Sequence, residues 1–163
     1  MTGDLTHVDG RGRVRMVDVT QKALTHRQAV AACTVTSPAG AIGALDPAQR
    51  AEVLATARVI GIQAAKRTAE LIPLCHPLLI GDVSVDLQLR GHAVGVTARV
   101  ECTGQTGVEM EALTACAAAA LAIVERCQQT DPQATVAGLR VLEKRGGRSG
   151  TWRAADAGPR GAR

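Results

Sequence analysis

The sequence contains almost no aromatic side chains. Its 163 residues include no Phe, no Tyr and a single tryptophan, Trp152. Proteins that bind RNA or single-stranded nucleic acid commonly stack the bases on aromatic rings. Because this chain has no such set of rings, we expect that its partner is not a nucleic acid.

Long apolar segments are absent too. The longest one, residues 112–124, is interrupted by Thr114 and is shorter than the roughly 18 to 20 residues that a membrane-spanning helix needs. The first ten residues, MTGDLTHVDG, lack the apolar core of a secretory signal. We therefore expect a cytoplasmic protein that does not associate with a membrane.

Cysteine is present, but not in a pattern typical of a zinc site or a disulfide framework. The five cysteines are an odd number, and none of them belongs to a C-x-x-C pair. This usage fits a reducing compartment, and it predicts no metal ion held by the protein. The cysteines are Cys33, Cys75, Cys102, Cys116 and Cys127.

The charge balance is basic and uneven. The chain carries 19 Lys and Arg residues against 15 Asp and Glu residues, a formal net charge of +4. Two interpretations are open: basic ends that bind an anionic partner, either the phosphate groups of a small ligand or a nucleic-acid backbone, or solvated ends that improve solubility. The basic residues crowd both ends, at Arg11, Arg13 and Arg15 and at Arg140, Lys144, Arg145, Arg148, Arg153, Arg160 and Arg163.

The first half of the chain predicts extended segments and one long helix. Composition and length are those of one domain over residues 1–163, with 46% hydrophobic and 21% charged residues. Residues 13–19 alternate like a short strand or an arm, and residues 27–35 form a second extended run. Asp46 is a good N-cap and Pro47 suits the first helical position, so we expect a helix from there to about Ile72. Its buried stripe is expected to be Val53, Ala57, Ile60, Ala64 and Leu71.

The second half predicts a hairpin, a helix and a strand. Residues 82–89 and 93–102 alternate strictly on either side of a short turn. Thr106 and Glu109 have the spacing of a capping box, which predicts a helix to about Gln128. Residues 135–144 predict a last strand, and the basic tail after Arg145 is expected to be mobile beyond Trp152.

The order of these elements predicts the fold. Without the N-terminal arm it reads strand, helix, strand, strand, helix, strand. This order is typical of the α+β ferredoxin-like sandwich, a split βαβ arrangement with an antiparallel sheet and two helices on one face.

The second predicted helix also suggests a partner. Between residues 112 and 124 it is rich in alanine and apolar on nearly all sides, so it needs cover on two sides. The sheet supplies one side, and we expect a neighbouring copy in a homo-oligomer to supply the other. The alternative is a monomer in which a loop covers the helix.

Histidine and cysteine lie side by side in the segment after the first helix. His76 lies between Pro73 and Pro77, which restrict the backbone and would hold its imidazole as a proton carrier or phosphate donor. A histidine that merely hydrogen-bonds to the backbone is the alternative. Cys75 has no basic neighbour other than His76 and is expected to be an inert thiol.

Three glutamates could take part in acid and base chemistry. Glu109 and Glu111 could divide these roles if both face one ligand, which requires the helix to begin after Glu109; otherwise Glu109 serves the capping box. Glu125 is expected about 21 Å along the helix axis from Glu111, too far for one small ligand to reach both. A reaction that uses both glutamates therefore requires two subunits.

Cations form a further group of candidates. Lys144 precedes Gly146 and Gly147, whose backbone could approach a phosphate closely, although the P-loop pattern is absent. Lys66 and Arg67 end the first helix, where they could bind phosphates or stabilise the helix dipole.

Six blocks of sequence occur together in a specific order that covers nearly the whole chain. They are RMVDV (15–19), ATAR (55–58), GIQAAKRT (61–68), LIPLCHPL (71–78), TGVEMEALT (106–114) and GGRSG (146–150). This set strongly resembles the MoaC family, the cyclic pyranopterin monophosphate synthases of molybdenum-cofactor biosynthesis.

The resemblance implies a reaction and an assembly. It implies a lyase that rearranges 3′,8-cyclo-7,8-dihydroguanosine 5′-triphosphate to cyclic pyranopterin monophosphate and releases pyrophosphate. It also implies a hexamer, built as a trimer of dimers, with active sites between subunits. No cofactor is firmly implied, although Mg²⁺ could accompany the pyrophosphate.

The resemblance further implies roles for individual residues. Catalytic roles are implied for Glu125, Lys144, Arg50 and Gln128. Substrate binding is implied for Leu74, Cys75, His76, Glu109, Met110, Glu111, Lys66 and Arg67.

Three of these positions depart from the family pattern. Arg50 and Gln128 stand where the family has lysines, and Glu125 stands where it has an aspartate. Arginine keeps the charge but does not release a proton, and glutamine loses the cation altogether. A second hypothesis therefore stays open: a paralogue of low or no activity that keeps the fold, the oligomer and the ligand pocket as a binding or structural subunit.

Overall fold

The structure is a computed structural model that describes residues 7–148 and 150–155. Residues 156–163 of the predicted basic tail, including Arg160 and Arg163, lie outside the described residues, as do Ser149 of the GGRSG block and the first six residues. The elements are β1 (Thr25–Thr36), α1 (Pro47–Lys66), α2 (Thr68–Leu71), β2 (Ile80–Arg90), β3 (Ala93–Gly104), α3 (Glu109–Cys127), β4 (Thr135–Arg145) and β5 (Trp152–Arg153).

The strands form one antiparallel sheet in the order β2-β3-β1-β4-β5. The β2–β3 hairpin and the central β1–β3 pair have the predicted alternation, with every second residue of β3 buried from Val94 to Cys102. Helix α3 packs on β1, β3 and β4, and α1 packs on α3 and β2. The predicted α+β ferredoxin-like sandwich is therefore confirmed.

Two terminal segments differ from the prediction. Residues 13–19 form no strand; the described part of the arm contains an isolated bridge between Val8 and Val14, so the arm reading is the correct one. The tail begins with an unpredicted short strand, β5, in which Trp152 pairs with Lys144. The buried carboxylate of Glu143 stabilises this strand through an ion pair with Arg153 at 3.3 Å.

Helix α1 begins as predicted but ends earlier. The side chain of Asp46 accepts hydrogen bonds from the backbone N–H groups of Ala48 and Gln49, both at 2.9 Å. The predicted end near Ile72 is wrong, because Arg67 leaves the helical conformation and residues 68–71 form the separate turn α2. The hydroxyl of Thr68 donates a hydrogen bond of 2.9 Å to the Ala65 carbonyl oxygen. At this break the hydroxyl therefore competes with backbone N–H groups for a helical carbonyl.

Small residues, not large ones, form the packed face of α1. Its buried residues are Ala57, Gly61 and Ala65, and the predicted stripe is wrong at Ile60 and Leu71, which are 38% and 60% exposed. The reason is close approach to α3: a Cβ on Gly61 would lie 2.9 Å from the carbonyl oxygen of Ala115. A larger side chain on this face would force the two helices apart.

Helix α3 is covered on both sides within one chain. It packs on the sheet and on α1, so the second cover is α1 rather than the neighbouring copy expected from its composition. Its buried residues are Glu111, Ala112, Ala115, Cys116, Ala119, Ala120, Ile123 and Cys127. On the outside of this helical layer, Leu121 and Val59 are 62% and 59% exposed.

Asp131 fixes the loop between β1 and α1. Its carboxylate accepts hydrogen bonds from the hydroxyl of Ser37 at 2.6 Å and from the backbone N–H of Ala39 at 2.9 Å. These bonds join the end of β1 to the connection between α3 and β4. In the part of the chain that the structure describes, no helix is long and apolar enough to cross a membrane.

Candidate active site

A cleft of about 1080 Å³ lies between the arm, the start of β1, the segment after α2 and the first turn of α3. Six of the residues predicted to bind substrate line it: Leu74, Cys75, His76, Glu109, Met110 and Glu111. The sequence blocks LIPLCHPL (71–78) and TGVEMEALT (106–114) thus meet in one cleft, although residues 79–105 separate them along the chain.

The Leu74–His76 segment enters the cleft directly after α2. A turn places the backbone N–H of Cys75 2.9 Å from the carbonyl oxygen of Ile72, and prolines flank the segment on both sides. Burial raises the pKa of the Cys75 thiol, and the negative charge of Glu111 raises it further. The thiol is therefore held in its protonated form, as expected for an inert cysteine.

The start of α3 differs from the predicted capping box. Val108 is the N-cap, and no side chain makes a capping hydrogen bond. The Glu109 carboxylate instead lies over Gly107, where any Cβ would overlap it, and it pairs with Lys144 Nζ at 3.3 Å. A charged partner on β4 stabilises this carboxylate in place of the backbone of Thr106.

Glu111 is a buried acid beside this ion pair. Its side chain is 4% exposed; burial raises its pKa and the charge of Glu109 adds to the effect, against a backbone hydrogen bond that lowers it. The helix begins at Glu109 rather than after it, so the predicted condition is wrong, yet both residues line one cleft in spite of their i, i+2 spacing. The two acids have unlike environments: one is paired with an ammonium group, and the other is shielded from water.

Lys144 does not itself line the cleft, but it contacts Glu109, which does. It lies on β4 opposite Ala29 of β1, and its ammonium group contacts the cleft-lining carboxylate of Glu109. Its predicted catalytic role thus remains a prediction, now with a defined neighbour.

The other predicted residues do not line this cleft: Arg50, Lys66, Arg67, Glu125 and Gln128. The end of α1 leads through α2 into the Leu74–His76 segment, and this segment meets the first turn of α3 in the cleft. Because the end of α1 therefore lies near the start of α3, the two packed helices run antiparallel. Arg50, near the start of α1, and the pair Glu125 and Gln128, near the end of α3, therefore occupy the end of the helical layer away from the cleft. Their catalytic roles stay predictions, because a single chain does not bring these residues to the cleft.

Sequence reasoning assigned no role to several residues that line the cleft. They include His7, Val17, Lys22, Arg27 and Gln105, whereas Arg148, which also lines the cleft, is one of the basic residues for which phosphate binding was one interpretation. Arg27 opens a segment that is interpreted only as a strand, Lys22 lies between the predicted arm and that strand, and no local motif marks either residue. The missed signal is the pairing of β1 with the end of β4, which brings Arg27 close to the residues that follow β4.

The described residues do not build a metal site. No group of three or more His, Cys, Asp or Glu side chains converges in the described part of the chain.

The fold and cleft define an α+β enzyme-like domain with an acid pair, a histidine and several cations at one end of a helical layer. The model of the MoaC family matches residues 16–147. The chain therefore belongs to the MoaC family.

Relatives of nearly full length support this assignment. The chain is 46% identical to the cyclic pyranopterin monophosphate synthase of Novosphingobium aromaticivorans, over 94% of this chain and 99% of that protein. It is 49% identical to the synthase of the same name from Thermomicrobium roseum, over 98% and 99% of the two chains. The predictions of the family, of an enzyme and of a role in molybdenum-cofactor biosynthesis are confirmed.

Proposed function

We propose that this chain is a lyase that converts 3′,8-cyclo-7,8-dihydroguanosine 5′-triphosphate to cyclic pyranopterin monophosphate and pyrophosphate. The observation that carries the proposal is the convergence of Leu74–His76 with Glu109, Met110 and Glu111 in one cleft. These are the residues for which the family resemblance implies substrate binding. The names of the relatives support the same reaction.

The cleft residues suit a rearrangement that moves protons and expels a phosphate leaving group. The Lys144 ammonium group, 3.3 Å from Glu109, can transfer a proton or stabilise developing negative charge. Glu111 keeps its proton more readily than an ordinary glutamate and can donate a hydrogen bond to a ring or carbonyl oxygen. His76 supplies a third proton carrier on a segment restricted by two prolines.

We further propose that the complete site forms between two copies in a homo-oligomer, a hexamer built as a trimer of dimers. The residues Arg50, Glu125 and Gln128 lie at the far end of the helical layer, so a second copy would have to bring them to the cleft. The exposed Leu121 and Val59 on the outside of that layer offer an apolar surface for such an assembly.

A second candidate function is a paralogue of low activity that binds the nucleotide without converting it. Gln128 favours it, because a cation is lost where the family has a lysine. A Gln128→Lys variant separates the two candidates: a steep rise from near-zero turnover supports the paralogue, whereas robust turnover by the parent removes it.

The experiment is incubation of the purified protein with the cyclised nucleotide, followed by detection of pterin and pyrophosphate. Parallel reactions with Mg²⁺ and with a chelator test whether the metal assists the departing pyrophosphate. Formation of both products supports the proposed lyase. Binding of the nucleotide without either product would contradict it and favour the paralogue.

A further inference from the structure

Asp131 holds the loop between β1 and α1 against the end of α3. Its carboxylate accepts hydrogen bonds from the Ser37 hydroxyl at 2.6 Å and from the backbone N–H of Ala39 at 2.9 Å. Its own backbone N–H donates to the carbonyl oxygen of Cys127, the last residue of α3, at 2.7 Å. Asp131 is 3% exposed, and the bonds from Ser37 and Ala39 lower the pKa of its carboxyl group. At neutral pH this side chain is therefore an anion that can only accept hydrogen bonds.

Ser37 extends this contact through the loop. Its hydroxyl donates to Asp131, and the same oxygen accepts a hydrogen bond from the backbone N–H of Ala41 at 2.9 Å. The backbone N–H of Gly40 donates to the Ser37 carbonyl oxygen at 2.8 Å. The N–H of Ala44 in turn donates to the Gly40 carbonyl oxygen at 3.0 Å. The loop is thus one hydrogen-bonded unit that is anchored on Asp131.

The loop leads directly to Arg50, one of the residues for which the family resemblance implies catalysis. Nη2 of Arg50 donates to the carbonyl oxygen of Leu45, at the end of the loop, at 3.0 Å. The backbone N–H of Arg50 donates to the carbonyl oxygen of Asp46, the N-cap of α1, at 3.0 Å. The position of this guanidinium group therefore depends on the loop through both its side chain and its backbone.

The other side of the Asp131 contact lies beside Glu125 and Gln128. Gln128 is the C-cap of α3, with its backbone N–H 2.9 Å from the Val124 carbonyl oxygen, and Asp131 follows three positions later. Because α1 and α3 run antiparallel, the start of α1 and the end of α3 lie at the same end of the helical layer. Asp131 thus joins the segment that leads to Arg50 to the segment that follows Glu125 and Gln128.

We propose that Asp131 is a positioning residue for the reaction, because it holds Arg50 at a fixed place relative to the end of α3. One copy can then present Arg50 together with Glu125 and Gln128 to the cleft of its neighbour. The inference rests on the proposed function and on the proposed site between two copies. Asp131 acts through the loop and is not itself a catalytic group. A displacement of about 1 Å at a catalytic group can lower a rate by roughly 100-fold, so loss of this anchor should be visible in kcat.

Steady-state kinetics of the full-length protein with the cyclised nucleotide test this role. Asp131→Ala removes the acceptor of both loop hydrogen bonds, and we expect kcat to fall by roughly 10- to 100-fold. KM should stay within about twofold of the parent, since the cleft lies at the other end of the helical layer. Asp131→Asn keeps one oxygen that can accept both bonds but loses the charge, so it should recover part of kcat.

Two further variants control the kinetic experiment. Ser37→Ala removes a hydroxyl that bonds to Asp131, so the double variant Ser37→Ala/Asp131→Ala should have a kcat no lower than that of the worse single variant. Asp82→Asn changes an exposed carboxylate on β2 and should have parental constants. Circular dichroism verifies that each variant is folded at the assay temperature.

Mixed oligomers separate the loss of one end from a general loss of structure. Asp131→Ala should restore pyrophosphate release when it is mixed with Glu111→Gln, which damages the cleft end. It should not restore release when it is mixed with Glu125→Gln, because both variants then damage the same end of the chain. A variant whose whole fold is damaged would restore release in neither mixture.

Hydrogen exchange without substrate gives a readout that does not depend on turnover. In Asp131→Ala and in Ser37→Ala the backbone amides of Ala41 and Arg50 should exchange roughly 10-fold faster than in the parent. The amide of Ala112, in the first turns of α3 at the cleft, should exchange at the parental rate.

Parental exchange at Arg50 in both variants would overturn the proposal, and so would an Asp131→Ala kcat within about twofold of an active parent. Restored release in both mixtures, or in neither, would also contradict it. Faster exchange at Arg50 in the two variants, together with a parent that does not convert the cyclised nucleotide, would contradict the proposed function alone.

Discussion

Lys144 on the last long strand and Glu109 at the start of α3 form an ion pair, with Nζ 3.3 Å from the carboxylate oxygen. The pair places an ammonium group beside the cleft that Glu111 and His76 also line. A substrate that enters this cleft therefore meets a cation whose charge is already oriented by a neighbouring acid.

Replacing Lys144 tests whether the ammonium group transfers a proton. We expect Lys144→Met to lower kcat by roughly 10²- to 10⁴-fold, the range for loss of a general acid or base. Lys144→Arg keeps the charge but does not release a proton, so its kcat should stay low while KM recovers. Steady-state kinetics of pyrophosphate release measures both constants. A Lys144→Arg enzyme with parental kcat would limit Lys144 to an electrostatic role.

Glu111 should make the fold less stable as the pH rises. Its pKa is raised by burial, so the folded state keeps a proton that the unfolded chain releases above its ordinary pKa of about 4.3. Stability therefore falls as the pH rises from that value through the folded pKa. Glu111→Gln removes this effect, and its Tm relative to the parent should increase between pH 4 and pH 7.

Thermal unfolding at both pH values checks the Glu111 prediction. Glu52→Gln, a change at an exposed glutamate of α1, controls for the exchange of a carboxylate for an amide. A Tm difference for Glu111→Gln that is constant or shrinks toward pH 7 would show that burial does not penalise this carboxylate.

Asp131 should have the opposite dependence on pH. Hydrogen bonds from Ser37 and from the backbone of Ala39 lower its pKa, so its contribution to stability is present above the unfolded pKa of about 3.9. That contribution is lost as the pH falls through the folded pKa. Asp131→Asn should lower Tm at pH 7, and the difference from the parent should shrink as the pH falls below the unfolded pKa, whereas Asp82→Asn on the exposed side of β2 should change little at pH 7. Equal Tm values for parent and Asp131→Asn at pH 7 would refute the role of this loop contact.

Gly61 is required by the contact between the two long helices. Alanine normally stabilises a helix relative to glycine by about 0.5 to 1 kcal/mol. Here the new Cβ would lie 2.9 Å from the Ala115 carbonyl oxygen and 3.1 Å from the Ala119 side chain, so Gly61→Ala should lower the free energy of unfolding by about 1 to 3 kcal/mol. Urea unfolding measures the change. An increased free energy of unfolding for Gly61→Ala would contradict this prediction, because it would mean that α1 and α3 can move apart without loss of stability.

The sequence was sufficient for the features that depend on local pattern. Alternation along β2 and β3 and the Asp46–Pro47 helix start are local signals, and they contributed to the predicted order of elements along the chain. The family resemblance added the meeting of Leu74–His76 with the first turn of α3. Local patterns and family resemblance can both be recognised in the sequence without knowledge of long-range packing.

The sequence was insufficient where a residue far along the chain determines the partner of a side chain or the buried face of a helix. Thr106 and Glu109 have capping-box spacing, but Lys144, 35 positions further on, competes for the carboxylate. Ile60 fits a helical stripe, yet the close approach of α3 at Gly61 selects the face with small side chains. Arg27 carries no local motif, because its neighbours in space come from the far end of the chain.

The shared site is the central claim, and mixing two inactive variants tests it most directly. Glu111→Gln damages the cleft end of a chain, and Glu125→Gln damages the far end of the helical layer. If each site combines the two ends from different copies, hetero-oligomers of the two variants contain some intact sites. Random mixing should then restore about a quarter of the parental pyrophosphate release, although each variant alone is nearly inactive. Mixed oligomers as inactive as the separate variants would contradict a site built from two chains.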